Sequence, residues 1–199
     1  MNYENEITVE VDTNLENLIN ILENKGFTLR EVYDLNDIYL INKTAKKGDY
    51  LSMLNNCVLI RHIIEENKET KMLTYKYKEY NENKEITKQG KVKVKIDDVN
   101  NSKLLFEKLN FEELIRINDH MLVYATDKDE LVIQNVNGKH IYIEIEDKCN
   151  YADRFYNSID EMKKVITDNN IPIKNNDFFV KKAEIELQET YNKVGEKYE

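Results

Sequence analysis

Four segments of this chain alternate strictly between polar and apolar residues, and that alternation limits the folds open to it more than any other feature. In EITVEV, Glu6, Thr8 and Glu10 oppose Ile7, Val9 and Val11, and in LTYKYK, Thr74, Lys76 and Lys78 share one side. KVKVKI sets Lys91, Lys93 and Lys95 against Val92, Val94 and Ile96, and IYIEIE sets Tyr142, Glu144 and Glu146 against Ile141, Ile143 and Ile145. Successive side chains of an extended strand point to opposite faces, so each segment is a strand with two unlike faces. Alternation also runs through EVYDLNDIYLI, CVLIRHIIE, EELIRIN, HMLVYA and ELVIQNV. Together these predict a mostly antiparallel sheet with helices inserted, an α+β protein.

A solvated outer face explains the charge on any single strand of this kind. Four such strands suit another arrangement. About nine segments are too many for a flat sheet covered by few helices, whereas a closed antiparallel barrel of about eight strands has an interior that holds a small ligand. With the apolar faces turned outward under amphipathic helices, the charged faces turn inward. Carboxylates gathered there need partners, since like charges about 4 Å apart repel by roughly 4 kcal/mol at an effective dielectric near 20. Lysines or a metal supply them, and Glu–Lys pairing alone is a sufficient structural answer.

The helices are legible as well. Leu15, Leu18, Ile19 and Leu22 fall on one helical face, with Thr13-x-x-Glu16 as a capping box and Gly26 at the stop. Laid on itself, the chain repeats: EITVEV, a helix and GFTLREVYDLNDIYLI match KVKVKI, a helix carried by Leu104, Leu105 and Leu109, and NFEELIRINDHMLVYA. Two pseudo-repeated halves follow. Near the C-terminus Ala152, Phe155, Ile159, Met162 and Ile166 mark a helix that Asn170 to Pro172 break, and FFVKKAEIELQETYNKV marks another.

With 199 residues, 41% of them hydrophobic and including 13 Tyr and 6 Phe, one globular domain over 1–199 is expected. Residues 1–147 form its β body, and the helices of 148–199 pack on that body. The net charge of -9 argues against nucleic acid and acidic membranes as partners, although a local basic lining still suits an anion. Cys57 and Cys149 have neither disulfide-framework nor zinc spacing, and His62, His120 and His140 lack ligand spacing. No signal peptide or membrane-spanning run is visible, which points to the cytoplasm. A homodimer is compatible with the sequence.

The order of these motifs resembles the CYTH, or triphosphate tunnel, family, which includes class IV adenylate cyclases, thiamine triphosphatases and inorganic triphosphatases. The likeness covers about residues 4–147: an acidic opening strand, a helix, an Asp-x-Tyr segment, a basic strand, a Tyr-Lys strand and a late Glu-Ile-Glu strand. Carried over by position, Glu6 matches the first Glu of the opening motif, Asp37 and Tyr39 the Asp-Tyr segment, Arg61 the basic strand, Lys76 the next, and Glu144 and Glu146 the late pair. Thr8 and Glu10 stand where the family has Glu and Lys, KVKVK occupies a strand usually rich in Glu, and Arg116 or His120 stands in for its second Lys-x-Arg strand.

The resemblance implies an eight-stranded tunnel in which basic residues hold a triphosphate and acidic ones hold Mg²⁺ or Mn²⁺. Here the anion contacts are expected at Arg61, Lys76, Lys78, Lys91, Lys93 and Lys95, and the metal ligands at Glu6, Glu10, Glu144 and Glu146. The expected function is binding of a phosphorylated or polyanionic small molecule, such as a polyphosphate, with metal-dependent hydrolysis of a phosphoanhydride by bound water. The alternative is a catalytically degenerate binding or scaffold protein of the same fold, its interior filled by Glu–Lys pairs.

Overall fold

The computed structural model describes residues 6–46, 49–80 and 86–195, with side chains left out at 76–80, 86–90 and 193–195. Its strands are β1 (Glu6–Glu10), β2 (Thr28–Asn42), β3 (Cys57–Glu65), β4 (Lys68–Tyr80), β5 (Ile86–Lys95), β6 (Phe111–Ala125), β7 (Glu130–Val136) and β8 (His140–Glu146). The helices are α1 (Leu15–Asn24), α2 (Tyr50–Asn55), α3 (Val99–Lys108), α4 (Ile159–Asp168) and α5 (Lys182–Gly195). The eight strands form one antiparallel sheet in the order β1-β8-β7-β6-β2-β3-β4-β5, so the α+β class and strand number expected from the alternation are present. Among the described residues the hydrogen-bonded order ends at β1 and at β5.

The repeat is visible in the topology. Each half runs strand, ten-residue helix, fifteen-residue strand and then a strand pair, with α2 inserted before the pair in the first half. Exchanging β1–β4 with β5–β8 reads the strand order backwards, as a duplicated unit requires. The chain divides into two compact units, each discontinuous in sequence: Met1–Asp34 with Asp119–Lys181, and Leu35–Asn118 with Lys182–Glu199.

In the first unit the apolar face of the strands is the core. Ile7, Val9, Leu131, Ile133, Ile143 and Ile145 pack with Leu18 and Leu22 of α1, Phe27, and Met162, Val165 and Ile166 of α4. Asn14 caps α1, its side chain accepting the Asn17 N–H at 2.8 Å, one residue later than the Thr13 box expects. Asn is at least as good a cap as Thr, and the shift leaves Leu18 and Leu22 fully buried. Replacing Leu22 with alanine removes a side chain with no exposed surface, and urea unfolding should read a loss of about 2–5 kcal/mol.

The outer edge of β1 is covered by the segment after α4. Asp12 N–H bonds Pro172 C=O, Lys174 N–H bonds Glu10 C=O, Thr8 N–H bonds Phe178 C=O and Val180 N–H bonds Thr8 C=O. An uncovered edge strand exposes a row of backbone donors and acceptors, and this strap satisfies them. It also corrects the C-terminal expectation: Phe178, Phe179 and Val180 run along the edge, and the last helix starts at Lys182. Likewise α4 starts at Ile159, after Ala152 and Phe155. Ser158 caps it through the Glu161 N–H, and the Glu161 side chain returns to the Asn157 N–H.

In the second unit Ile38, Leu40 and Ile60 form the core with Leu73, Ile96, Val99, Phe106 and Phe111. Leu104, Leu105 and Leu109, expected to carry α3, are 49%, 58% and 56% exposed. Val99 and Phe106 carry it instead. Seven residues apart, they share one helical face, and Phe106 meets Phe111 edge-on at 5.2 Å. At 100° per residue Leu104 and Leu105 lie about 140° and 240° around the helix from Val99. The short helix α2 packs against α5 through Tyr50 and Tyr191, whose ring centroids are 5.5 Å apart. No described helix is long and apolar enough to cross a membrane.

Candidate functional site

The antiparallel register of β1 and β8 sets Glu6 opposite Glu146 and Thr8 opposite Glu144. Period-two alternation then places Glu6, Thr8 and Glu10 with Tyr142, Glu144 and Glu146 on the face away from the core. Carboxylate oxygens of Glu6, Glu144 and Glu146 lie within 4.8 Å of one another. Three of the four expected metal ligands are therefore brought together. Gln134, 1% exposed on β7, donates from Nε2 to Glu144 Oε2 at 2.9 Å and orients that carboxylate.

Beside them is a cavity of about 100 Å³ whose wall includes Glu144, Glu146, Glu31, Glu130 and Lys148. Buried Glu130 accepts the backbone N–H groups of Asn150 and Tyr151, and the Tyr151 hydroxyl donates to Glu31 at 2.9 Å, so the loop after β8 is stitched to this wall. The donor set fits a divalent cation. Oxygens on opposite sides of a hard cation sit about 4.0–4.2 Å apart around Mg²⁺ and about 4.6–5.2 Å around Ca²⁺, so a separation of no more than 4.8 Å leaves the three carboxylates close enough to share one ion.

Glu10 does not join them. About 13 Å further along β1, at 3.3 Å per residue, its side chain accepts Lys174 Nζ at 2.6 Å and faces His140 Nδ1 at 2.9 Å. Burial pushes its carboxyl up, but the hydrogen bonds from Lys174 and His140 outweigh burial and hold it below its ordinary value of 4.5. A carboxyl depressed in the folded state contributes stability above its unfolded pKa and loses it as pH falls through the folded one. Glu10→Gln should thus cost about 1–2 kcal/mol at neutral pH, with the gap from wild type closing below about pH 4.5 in paired thermal melts.

The basic candidates share one face of the second unit. Arg61 is the register partner of Met72, Met72 of Lys95, Thr74 of Lys93, Lys76 of Lys91 and Lys78 of Gln89. Arg61, Lys76, Lys78, Lys91, Lys93 and Lys95 therefore occupy positions on one side of β3, β4 and β5, with Thr74 buried among those positions. Lys91, Lys93 and Lys95 are exposed, and the side chains of Lys76 and Lys78 lie outside the described residues. Arg61 is engaged with Asp37, its Nε and Nη2 donating to the two carboxylate oxygens at 2.8 and 2.6 Å. Asp37 is 1% exposed, which gives this ion pair an interior setting.

The stand-ins for a second basic strand are used elsewhere. Arg116 forks onto Glu113 at 3.2 and 3.0 Å, and His120 Nδ1 lies 2.8 Å from Asp34 Oδ1. Reading the sequence missed Gln134, Glu130 and Glu31. A polar residue inside the apolar run LVIQNV was the one available signal for Gln134, and the other two depend on how the β8 loop folds back.

No protein-family model matches the chain, and no curated protein matches it. Solved structures do. The PH1819 protein of Pyrococcus horikoshii OT3 superposes with a TM-score of 0.67 at 19% identity, over 94% of this chain and 99% of that one. A conserved hypothetical protein of Pyrococcus furiosus gives 0.56 at 18%, over 87% and 94%. The PH1012 protein of Pyrococcus horikoshii OT3 gives 0.51 at 19%, over 82% and 87%. At these identities the chain shares a fold with the three archaeal proteins across nearly their whole length.

Proposed function

We propose that this chain is a triphosphate-tunnel protein of the CYTH type, binding a small polyphosphate or similar polyanion together with Mg²⁺ or Mn²⁺. The observation that carries the reading is the convergence of Glu6, Glu144 and Glu146 within 4.8 Å. Two further features support it. Each unit buries part of its polar strand face, at Tyr142 and Gln134 in the first and at Asp37 and Thr74 in the second. Lys76 and Lys91 hold directly opposed register positions on β4 and β5, a concentration of basic residues that suits an anionic ligand.

In this reading Glu6, Glu144 and Glu146 hold the cation, with Gln134 fixing Glu144. Lys76, Lys91, Lys93 and Lys95 receive phosphate oxygens, and Arg61 reaches the anion while braced by Asp37. A divalent cation bound there supplies charge neutralisation for bridged phosphate oxygens and an acidified water. Tripolyphosphate with Mn²⁺ should raise the melting midpoint, and Lys76→Ala should remove most of that rise. A midpoint unchanged by saturating tripolyphosphate and Mn²⁺ would remove the binding reading.

A second reading has its own observation. Arg61 with Asp37, and Glu10 with Lys174, are candidate site residues already spent on internal ion pairs. That pattern suits a binding or scaffold protein without catalysis. The two readings part on phosphate release from tripolyphosphate: a sample that binds it with Mn²⁺ and releases none is the scaffold form.

A further inference from the structure

At the opposite end of the β1–β8 pair from the three carboxylates, the first unit holds a larger cleft of about 460 Å³. That volume lies in the range of small-ligand pockets, about 300–1,000 Å³, whereas the cavity beside Glu144 does not. Val11, Leu15 and Ile141 give the cleft an apolar lining. Lys139, His140 and Lys174 line it with nitrogen donors, and Asp12 is the one carboxylate among its described lining residues.

Glu10 makes this wall specific. Only 12% of its side chain is exposed, and it holds both Lys174 Nζ and His140 Nδ1. An ammonium carries three N–H donors, so the bond to Glu10 fixes Lys174 while two remain for other acceptors. The contact of His140 Nδ1 with Glu10 Oε1 at 2.9 Å likewise holds the imidazole in this wall. Asp12 opposes a highly charged ligand. The lining as a whole suits a single small anionic group joined to an apolar body, and not a polyphosphate.

We propose that this cleft binds a small organic anion, its head on Lys139, Lys174 and His140 and its body against Val11, Leu15 and Ile141. The site is separate from the carboxylate cluster and does not depend on the triphosphate reading. The test is an amide-resolved NMR titration of the full chain with phenyl phosphate. Saturable shifts are expected at Leu15, Gly138 and Lys139, and inorganic phosphate, which lacks the ring, should bind at least about fivefold more weakly. Lys139→Gln with Lys174→Gln should weaken phenyl phosphate about tenfold or more, while Glu144→Gln leaves it unchanged. Should the double variant misfold, Lys139→Gln alone, in an exposed turn, should still weaken it about threefold. Absence of saturable shifts at these amides up to about 20 mM, equal binding of inorganic phosphate, undiminished binding in the folded lysine variants, or loss of binding in Glu144→Gln would each overturn the proposal. Loss of metal or tripolyphosphate binding at the other end leaves it standing.

Discussion

Replacing Arg61 with alanine should destabilise the protein by about 3 kcal/mol or more, read as a fall in the urea midpoint at constant slope. The reason is the partner left behind. The Asp37 side chain is 2% exposed, and Arg61 satisfies both of its oxygens. Truncation strands a buried charge without its counter-charge, which is far costlier than losing a surface pair worth about 0–1 kcal/mol. Arg61→Lys should recover only part of the loss, because an ammonium cannot make the two-pronged contact. Leucine at both positions should recover more, since no charge then remains buried. A loss below about 0.5 kcal/mol for Arg61→Ala would mean that the pair is solvated and that Asp37 does not depend on it.

Glu144→Gln should change sign with conditions. Without metal, three carboxylates within 4.8 Å repel one another by roughly 1 kcal/mol per pair in water-like screening, so removing one charge should be neutral or slightly stabilising. With Mn²⁺ at about a hundred times its dissociation constant, the wild type gains about 2.7 kcal/mol from binding, and the variant should lose most of that gain. Glu146→Gln should behave in the same way. Gln134→Ala should keep all three carboxylates and still weaken Mn²⁺, because Glu144 loses the amide that orients it. A variant that is destabilised equally with and without metal would show Glu144 to be a structural residue.

Period-two alternation carried most of the fold. It located all four two-faced strands, and on β1 and β8 the buried face is the apolar one, with Ile7, Val9 and Ile143 fully buried against helices; on β5 the apolar face expected under helices is not covered, Val92 and Val94 being 52% and 53% exposed. The same rule put Lys76 with Lys78, and Lys91 and Lys93 with Lys95, on the polar faces of their strands, and the register sets these five and Arg61 on one side of the sheet. Spacing alone could not say how a helix face divides between core and solvent. In α3 three leucines read as the packing face, but two aromatic rings set the rotation and left the leucines outside. Nor could it foresee that Phe178 to Val180 would be taken from a helix to cover the β1 edge.

The candidate site was legible to a similar depth. Glu6, Glu144 and Glu146 meet because neighbouring strands align them, and alternation contains that information. Glu10 lies on the same face yet answers to Lys174, a residue 164 positions away whose approach follows from the strap. Long-range partners of this kind leave no periodic mark. Gln134 is a further instance, since its worth lies in an oxygen two strand positions across.

The most direct measurement is anomalous diffraction from crystals grown with Mn²⁺ and a non-hydrolysable triphosphate analogue. A manganese peak within about 2.5 Å of oxygens from Glu6, Glu144 and Glu146, with phosphate oxygens in its coordination shell, is the expected result. A difference map with no metal among these carboxylates, and with lysine ammonium groups paired to them instead, would contradict it.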